Sequence, residues 1–123
     1  AGELARLLGV ERAAVEGDPL THARAAAARF GASVLLKGAT QYAVGTDGRT
    51  LLAVAGPAWT AQAGSGDVLA GICGTLLAAG VPALLAGALG ASIQAMTAAA
   101  NPGPWPPDAI ARLLPGVIGA LVT

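Results

Sequence analysis

Hydrophobic positions along the chain change period several times, and each change marks an element. In Gly2–Leu8 (GELARLL) the leucines at 4, 7 and 8 share one helical face, which predicts a short helix. Asp18-Pro19 supplies an N-cap followed by a residue whose φ is already helical. A second helix is therefore predicted from Pro19 through Phe30, closed by Gly31. The period then shortens. Ser33–Lys37 is an apolar run of the kind that forms a buried strand. Gln41–Val44 and Thr50–Val54 flank Thr46-Asp47-Gly48-Arg49, whose Asp-Gly step predicts a hairpin. A Gly/Pro-containing loop over 55–64 leads into a helix from Ser65 to Ala79, and Pro82 opens another to Ala99. Asn101–Pro107 is a rigid proline connector, and the last helix, Asp108–Val122, is expected to break near Pro115-Gly116. Helical and strand segments alternate with no internal repeat and no domain boundary. The pattern predicts an α/β fold with helices covering a small sheet.

Composition changes this picture in one region. Only 11% of the 123 residues are charged, against about 25% in ordinary soluble domains. The deficit is local, because no charged residue occurs between Asp67 and Asp108. A bilayer hairpin would need about 20 apolar residues per span. Val68–Ala79 is too short for that. Ala83–Ala100 is mostly Ala and Gly, with Ser92, Gln94 and Thr97 inside and no basic or aromatic anchors at its ends. Two helices buried on most sides, with small residues allowing close packing, fit better, and no membrane partner is expected.

Charge and rare residues exclude further classes. Seven Lys+Arg against seven Asp+Glu leave no cationic face for nucleic acid. One cysteine, Cys73, cannot form an internal disulfide, and one histidine, His22, leaves no His/Cys metal cluster. Cys73 is expected as a small core residue, His22 as a solvated helix residue, and Trp105 as the contact that packs the connector onto the body. Residues 1–20 mix charges with short apolar runs, unlike a signal peptide. The chain begins at Ala1 without Met, which suggests a piece of something longer.

The candidate chemistry lies in Ala63-Gly64-Ser65-Gly66-Asp67-Val68-Leu69-Ala70-Gly71. Glycines at 64 and 66 let backbone approach a ligand, and the helix start offers unpaired N–H groups and the positive end of its dipole to an anion. No Gly-Lys-Ser/Thr follows, so this is not a Walker A loop, and Leu69 stands where a dinucleotide fingerprint has its third glycine. By position alone Asp67 has two readings: an acid that stabilises the helix dipole, or a base beside an anion hole. Lys37, at a strand end where ligands gather in α/β sheets, is either a phosphate contact or a lysine reaching to solvent. Gly56-Pro57-Ala58-Trp59 could wall or cover a pocket there.

GELARLLG, ARFGASVLLKGAT and AGPAWTAQAGSGDVLAGI occur in the order and spacing of the NAD(P)H-hydrate dehydratases. The chain resembles that family over nearly its whole length, most closely from Ala32 to Ala79 and least after Ala91. The resemblance implies a ribokinase-like three-layer α/β/α fold, with residues 1–123 as the C-terminal portion of one such domain. It implies ADP-dependent dehydration of hydrated NADH or NADPH (NADHX, NADPHX), giving NAD(P)H, AMP and phosphate. Mg²⁺, a cytoplasmic setting and homo-oligomers are implied with it. Carried over by position, Asp67 would bind and activate the substrate hydroxyl. The amides of Gly64, Ser65 and Gly66 would form the anion hole. Lys37, Gly38, Ala39, Thr40, Gln41 and Gly66 would bind the nucleotide. The chain departs from the family pattern at Gln41 (usually Thr), Ala53 (commonly Asn) and Gln94 (a helix His), and the family's His-Pro falls before Ala1. The alternatives are a ribokinase-like kinase of a vitamin-like alcohol and a non-catalytic nucleotide-binding module.

Overall fold

A computed structural model describes residues 1–123. The chain runs α1 (Gly2–Leu8), α2 (Arg12–Gly17), α3 (Pro19–Phe30), β1 (Val34–Leu36), β2 (Gln41–Val44), β3 (Thr50–Ala53), α4 (Ser65–Ala78), α5 (Ala83–Ala100) and α6 (Pro107–Val122), with a single 3-10 turn at Ala58–Thr60. Local chemistry accounts for most boundaries. The Asp18 carboxylate accepts from Thr21 N–H at 3.3 Å, capping α3, and Gly31 ends that helix at φ 58°. Asp47 Oδ1 accepts from Arg49 N–H at 3.0 Å and Gly48 takes φ 84°, which closes the β2–β3 hairpin.

The three strands form an antiparallel meander in the order β1-β2-β3, with Leu35 opposite Ala43 and Ala43 opposite Leu51. Strand alternation then sorts the side chains. Val34, Leu36, Tyr42 and Val44 meet Ala23, Ala26 and Ala27 of α3, together with Leu4, Ala5 and Val15, in the larger core. Leu35, Ala43 and Ala53 turn to the other face. There α5 lies close enough that a Cβ on Gly87 would sit 3.7 Å from Leu35 Cβ and 3.8 Å from Ala43 Cβ. A smaller core of Ala53, Leu69 and Ala91 forms on this side. Helices on both faces of one sheet make the fold α/β in three layers.

Helix α5 reaches the length and hydropathy of a membrane span. Its place in the fold gives another cause for that composition. It is wedged between the sheet and the helices α4 and α6, and eight of its residues are buried, six of them Ala or Gly. At the α4 crossing, a Cβ on Gly90 would come within 2.6 Å of Cys73 Sγ. Cys73 is half-buried there, packed against the smaller core, and its Sγ lies 3.6 Å from Ala86 O.

Several expectations change. Helix α2, absent from the periodicity reading, forms because Val15 is fully buried under α1 and α3; one apolar residue in a turn and a half carries no periodic signal. The loop before α4 contains the 3-10 turn, tied by Thr60 N–H and Thr60 Oγ1 to Pro57 O at 3.0 and 2.7 Å. Helix α6 does not break: it runs from Pro107 to Val122 through Pro115. Pro115 is exposed, and Ala111, whose carbonyl loses its intrahelical donor, is only half-buried, so the lost bond falls outside the core. Finally, α4 is not buried on most sides. Only Leu69 is fully buried, and Leu77 is 50% exposed. Strands β1 and β3 are each shorter than expected, by Ser33 and Lys37 and by Val54 respectively.

Candidate active site

A cleft of about 630 Å³ opens at the end of the sheet, within the range of ~300–1,000 Å³ typical of small-molecule sites. Five segments converge on it. The turn after β1 contributes Lys37, Gly38 and Ala39, and the start of β2 contributes Gln41. The loop before α4 contributes Gly56–Ala58 and Thr60–Gln62, α4 contributes Ser65, and α5 contributes Ala91, Gln94 and Ala95. Gly56 permits the loop to press on α5, since a Cβ there would lie 3.4 Å from Ala95 Cα and Cβ. Trp59 and Trp105 line a small adjoining space with Gln62 and Gln94, which docks the proline connector beside the cleft as expected.

The glycine turn sits at one end of this cleft. Gly64 adopts φ 89°, ψ −14°, a conformation that disfavours any residue with a Cβ, and no side chain caps α4. Ser65 N–H donates to Gln62 O at 3.1 Å and Val68 N–H to Gly64 O at 3.3 Å. The N–H groups of Gly66 and Asp67 have no backbone acceptor, so they and the helix dipole face an incoming anion. Lys37 Nζ donates to Ser65 Oγ across 3.3 Å. Burial in the cleft lowers the Lys37 pKa below the ordinary lysine value, because the charged form has lost solvation. No carboxylate lines the cleft. A half-buried cation beside unpaired amides, with no carboxylate on the cleft wall, is chemistry that can hold an anion such as phosphate.

The other residues singled out from the sequence fall into two groups. Gly64, Gly66 and Asp67 belong to the turn rather than to the cleft lining, and Asp67 is exposed, with no side-chain hydrogen bond. Thr40 faces a second cavity of about 290 Å³ on the opposite side of the 37–40 turn, shared with Tyr42 and Glu16. The only side-chain hydrogen bond of His22 is from Nδ1, which donates to Asp18 O, 2.7 Å away. Sequence reasoning did not place Gln62 and Gln94 at the site. Gln94 Nε2 donates to Ser65 O at 2.9 Å, 29 residues away in sequence. Its one signal was a polar residue in the middle of an apolar helix, where burial demands a partner.

A three-layer α/β/α body with a glycine turn feeding a helix N-terminus at the sheet's open end is the ribokinase-like arrangement. The ADP/ATP-dependent NAD(P)H-hydrate dehydratase of Bacillus subtilis, co-crystallised with ATP/Mg²⁺, shares this fold at a TM-score of 0.81, with 22% identity over 97% of this chain and 45% of that one. Residues 1–111 match the NAD(P)H-hydrate dehydratase (carbohydrate kinase) family model, and the chain belongs to that family. It is 42% identical over 98% of its length to the bifunctional NAD(P)H-hydrate repair enzyme of Mycobacterium leprae, covering 26% of that protein. It is 44% identical over 78% of its length to the ADP-dependent (S)-NAD(P)H-hydrate dehydratase of Neisseria meningitidis, covering 32% of it. The chain thus spans between about a quarter and a third of these relatives.

Proposed function

We propose that this chain is the C-terminal portion of a ribokinase-like domain that uses ADP to dehydrate hydrated NADH and NADPH. The observation that carries the reading is the Lys37–Ser65 pair beside the unpaired Gly66 and Asp67 amides, in a cleft of nucleotide size without a carboxylate. Lys37, Gly38, Ala39 and Gln41 hold the ADP, Thr40 faces the cavity across the turn, and the turn from Gly64 to Gly66 takes the transferring phosphoryl group. Asp67 receives the proton of the C6 hydroxyl as its oxygen attacks the terminal phosphorus of ADP. The bond to AMP breaks, and departure of phosphate from C6 together with loss of a proton from C5 to solvent restores the ring double bond and the reduced cofactor. Such a reaction relies on positioning and on stabilising charge, which amides, one ammonium and one carboxylate can supply.

None of the cleft-lining residues is an Asp or Glu, and the chain holds no group of three His, Cys, Asp or Glu close enough to cage a metal. These residues do not fit a protein-built Mg²⁺ site, and no step here runs through one. Leu77 on α4 and Ile118, Leu121 and Val122 on α6 are exposed. They are the surface against which the remainder of the domain, or a second subunit of a cytoplasmic homo-oligomer, would pack.

The test is direct. The complete protein is incubated with hydrated NADH and ADP, and the return of NADH absorbance is followed. Recovery that depends on ADP supports the reading, and no recovery overturns it.

A further inference from the structure

Three glutamine amides line the cleft, and each has its nitrogen committed. Gln41 Nε2 donates to Val54 O at 2.7 Å, and Gln94 Nε2 donates to Ser65 O at 2.9 Å. Gln62 Nε2 spends both its protons, on Trp59 O at 2.8 Å and Trp105 O at 2.9 Å. These partners are all carbonyl oxygens, so rotating any of the three amides would set two acceptors face to face. The orientation of each is therefore fixed by the main chain, and the amide oxygen is turned away from it. No protein donor meets any of the three oxygens. No buried polar side-chain atom in the protein lacks a partner, so these oxygens are open, although Gln41 and Gln94 are only 6% and 8% exposed. All three residues line the cleft, and Gln62 and Gln94 also border the small space beside Trp59 and Trp105.

We infer that Gln41, Gln62 and Gln94 form a fixed set of acceptors that selects the nucleoside part of the ligand by its hydrogen-bond donors. An acceptor oxygen repels phosphate, so the three oxygens do not serve the anion end held by Lys37 and the α4 amides. They suit N–H or O–H groups: the amino group of adenine, or the hydroxyls of ribose. Because their orientation is set before the ligand arrives, a ligand that presents an acceptor or nothing in place of a donor leaves a desolvated oxygen unpaired, which costs more than the lost bond alone.

This inference rests on the nucleotide reading above, and its test separates the two. Binding of ADP to the complete protein is measured by calorimetry against IDP, which has a carbonyl oxygen in place of the amino group. A second comparison uses 2′,3′-dideoxy-ADP, which lacks the ribose hydroxyls. ADP is expected to bind about tenfold or more tightly than at least one analogue. That margin is expected to shrink in at least one of Gln41→Met, Gln62→Met and Gln94→Met, each checked for fold by circular dichroism. Equal binding of the three nucleotides to the unaltered protein overturns the acceptor set while leaving the nucleotide site intact. So does a margin that no folded variant changes. Failure of ADP itself to bind overturns the nucleotide reading, and this inference with it.

Discussion

Lys37 and Ser65 lie 28 residues apart in sequence, yet the Lys37 ammonium donates to the Ser65 hydroxyl across 3.3 Å. This bond joins the end of β1 to the first turn of α4 and places the site's one cation beside its free amides. Lys37→Met removes that charge without removing the side chain's length. With ~1.5–3 kcal/mol for a hydrogen bond to a charged group, ADP affinity should fall about 10- to 100-fold. Lys37 is only half-buried, so the thermal midpoint should move little. Calorimetric titration and a melting curve on the same preparation check both halves of the statement.

Burial lowers the Lys37 pKa below 10.5, which fixes the sign of two pH effects. Phosphate binds the protonated form, so ADP affinity should fall as pH rises through the folded-state value. Stability of the free protein should move the other way. Between the folded value and 10.5 the unfolded chain holds a proton that the folded chain has lost, so stability rises with pH across that window. Lys37→Arg should abolish the fall in affinity there, because guanidinium stays charged to above about pH 12.

Asp67 stands exposed on the third residue of α4 and makes no side-chain hydrogen bond. Nothing in the packing depends on its charge, so Asp67→Asn should leave the fold and ADP binding essentially unchanged. As general base it should matter to turnover alone, with kcat falling about 10²- to 10⁴-fold. Asp67→Asn with unaltered kcat would return this residue to a helix-dipole role.

Much of the frame was legible because its signals are local. Asp18-Pro19, Gly31 and Asp47-Gly48 act on their own backbone, and α3 and the hairpin formed where these residues required. The glycine turn into α4 was legible for the same reason: Gly64, Gly66 and the helix start are consecutive. What was not legible depends on distant partners. Helix α2 exists because Val15 finds a core made by α1 and α3, and α6 passes Pro115 because the bond lost there falls outside the core. The amides of Gln62 and Gln94 reach the site through carbonyls of Trp105 and Ser65, pairings that no spacing in the chain announces.

The α4–α5 crossing offers a test of packing independent of the chemistry. Gly90→Ala would gain about 1 kcal/mol of helix propensity. It would also place a methyl 2.6 Å from Cys73 Sγ, closer than real contacts allow. Overpacking of this kind costs about 1–3 kcal/mol, so the single variant should melt at or below the parent temperature. Cys73→Ala removes the clashing sulfur; the next atoms a new methyl would meet, Cys73 N and Ile72 Cγ2, are both at 3.6 Å, an ordinary contact. The double variant Gly90→Ala/Cys73→Ala should therefore be more stable than the sum of the singles by about 1 kcal/mol or more, measured as coupling in a denaturant-unfolding cycle. Strict additivity would mean that the two helices shift apart to admit the methyl, and that this crossing is not held by the close approach of Gly90 to Cys73.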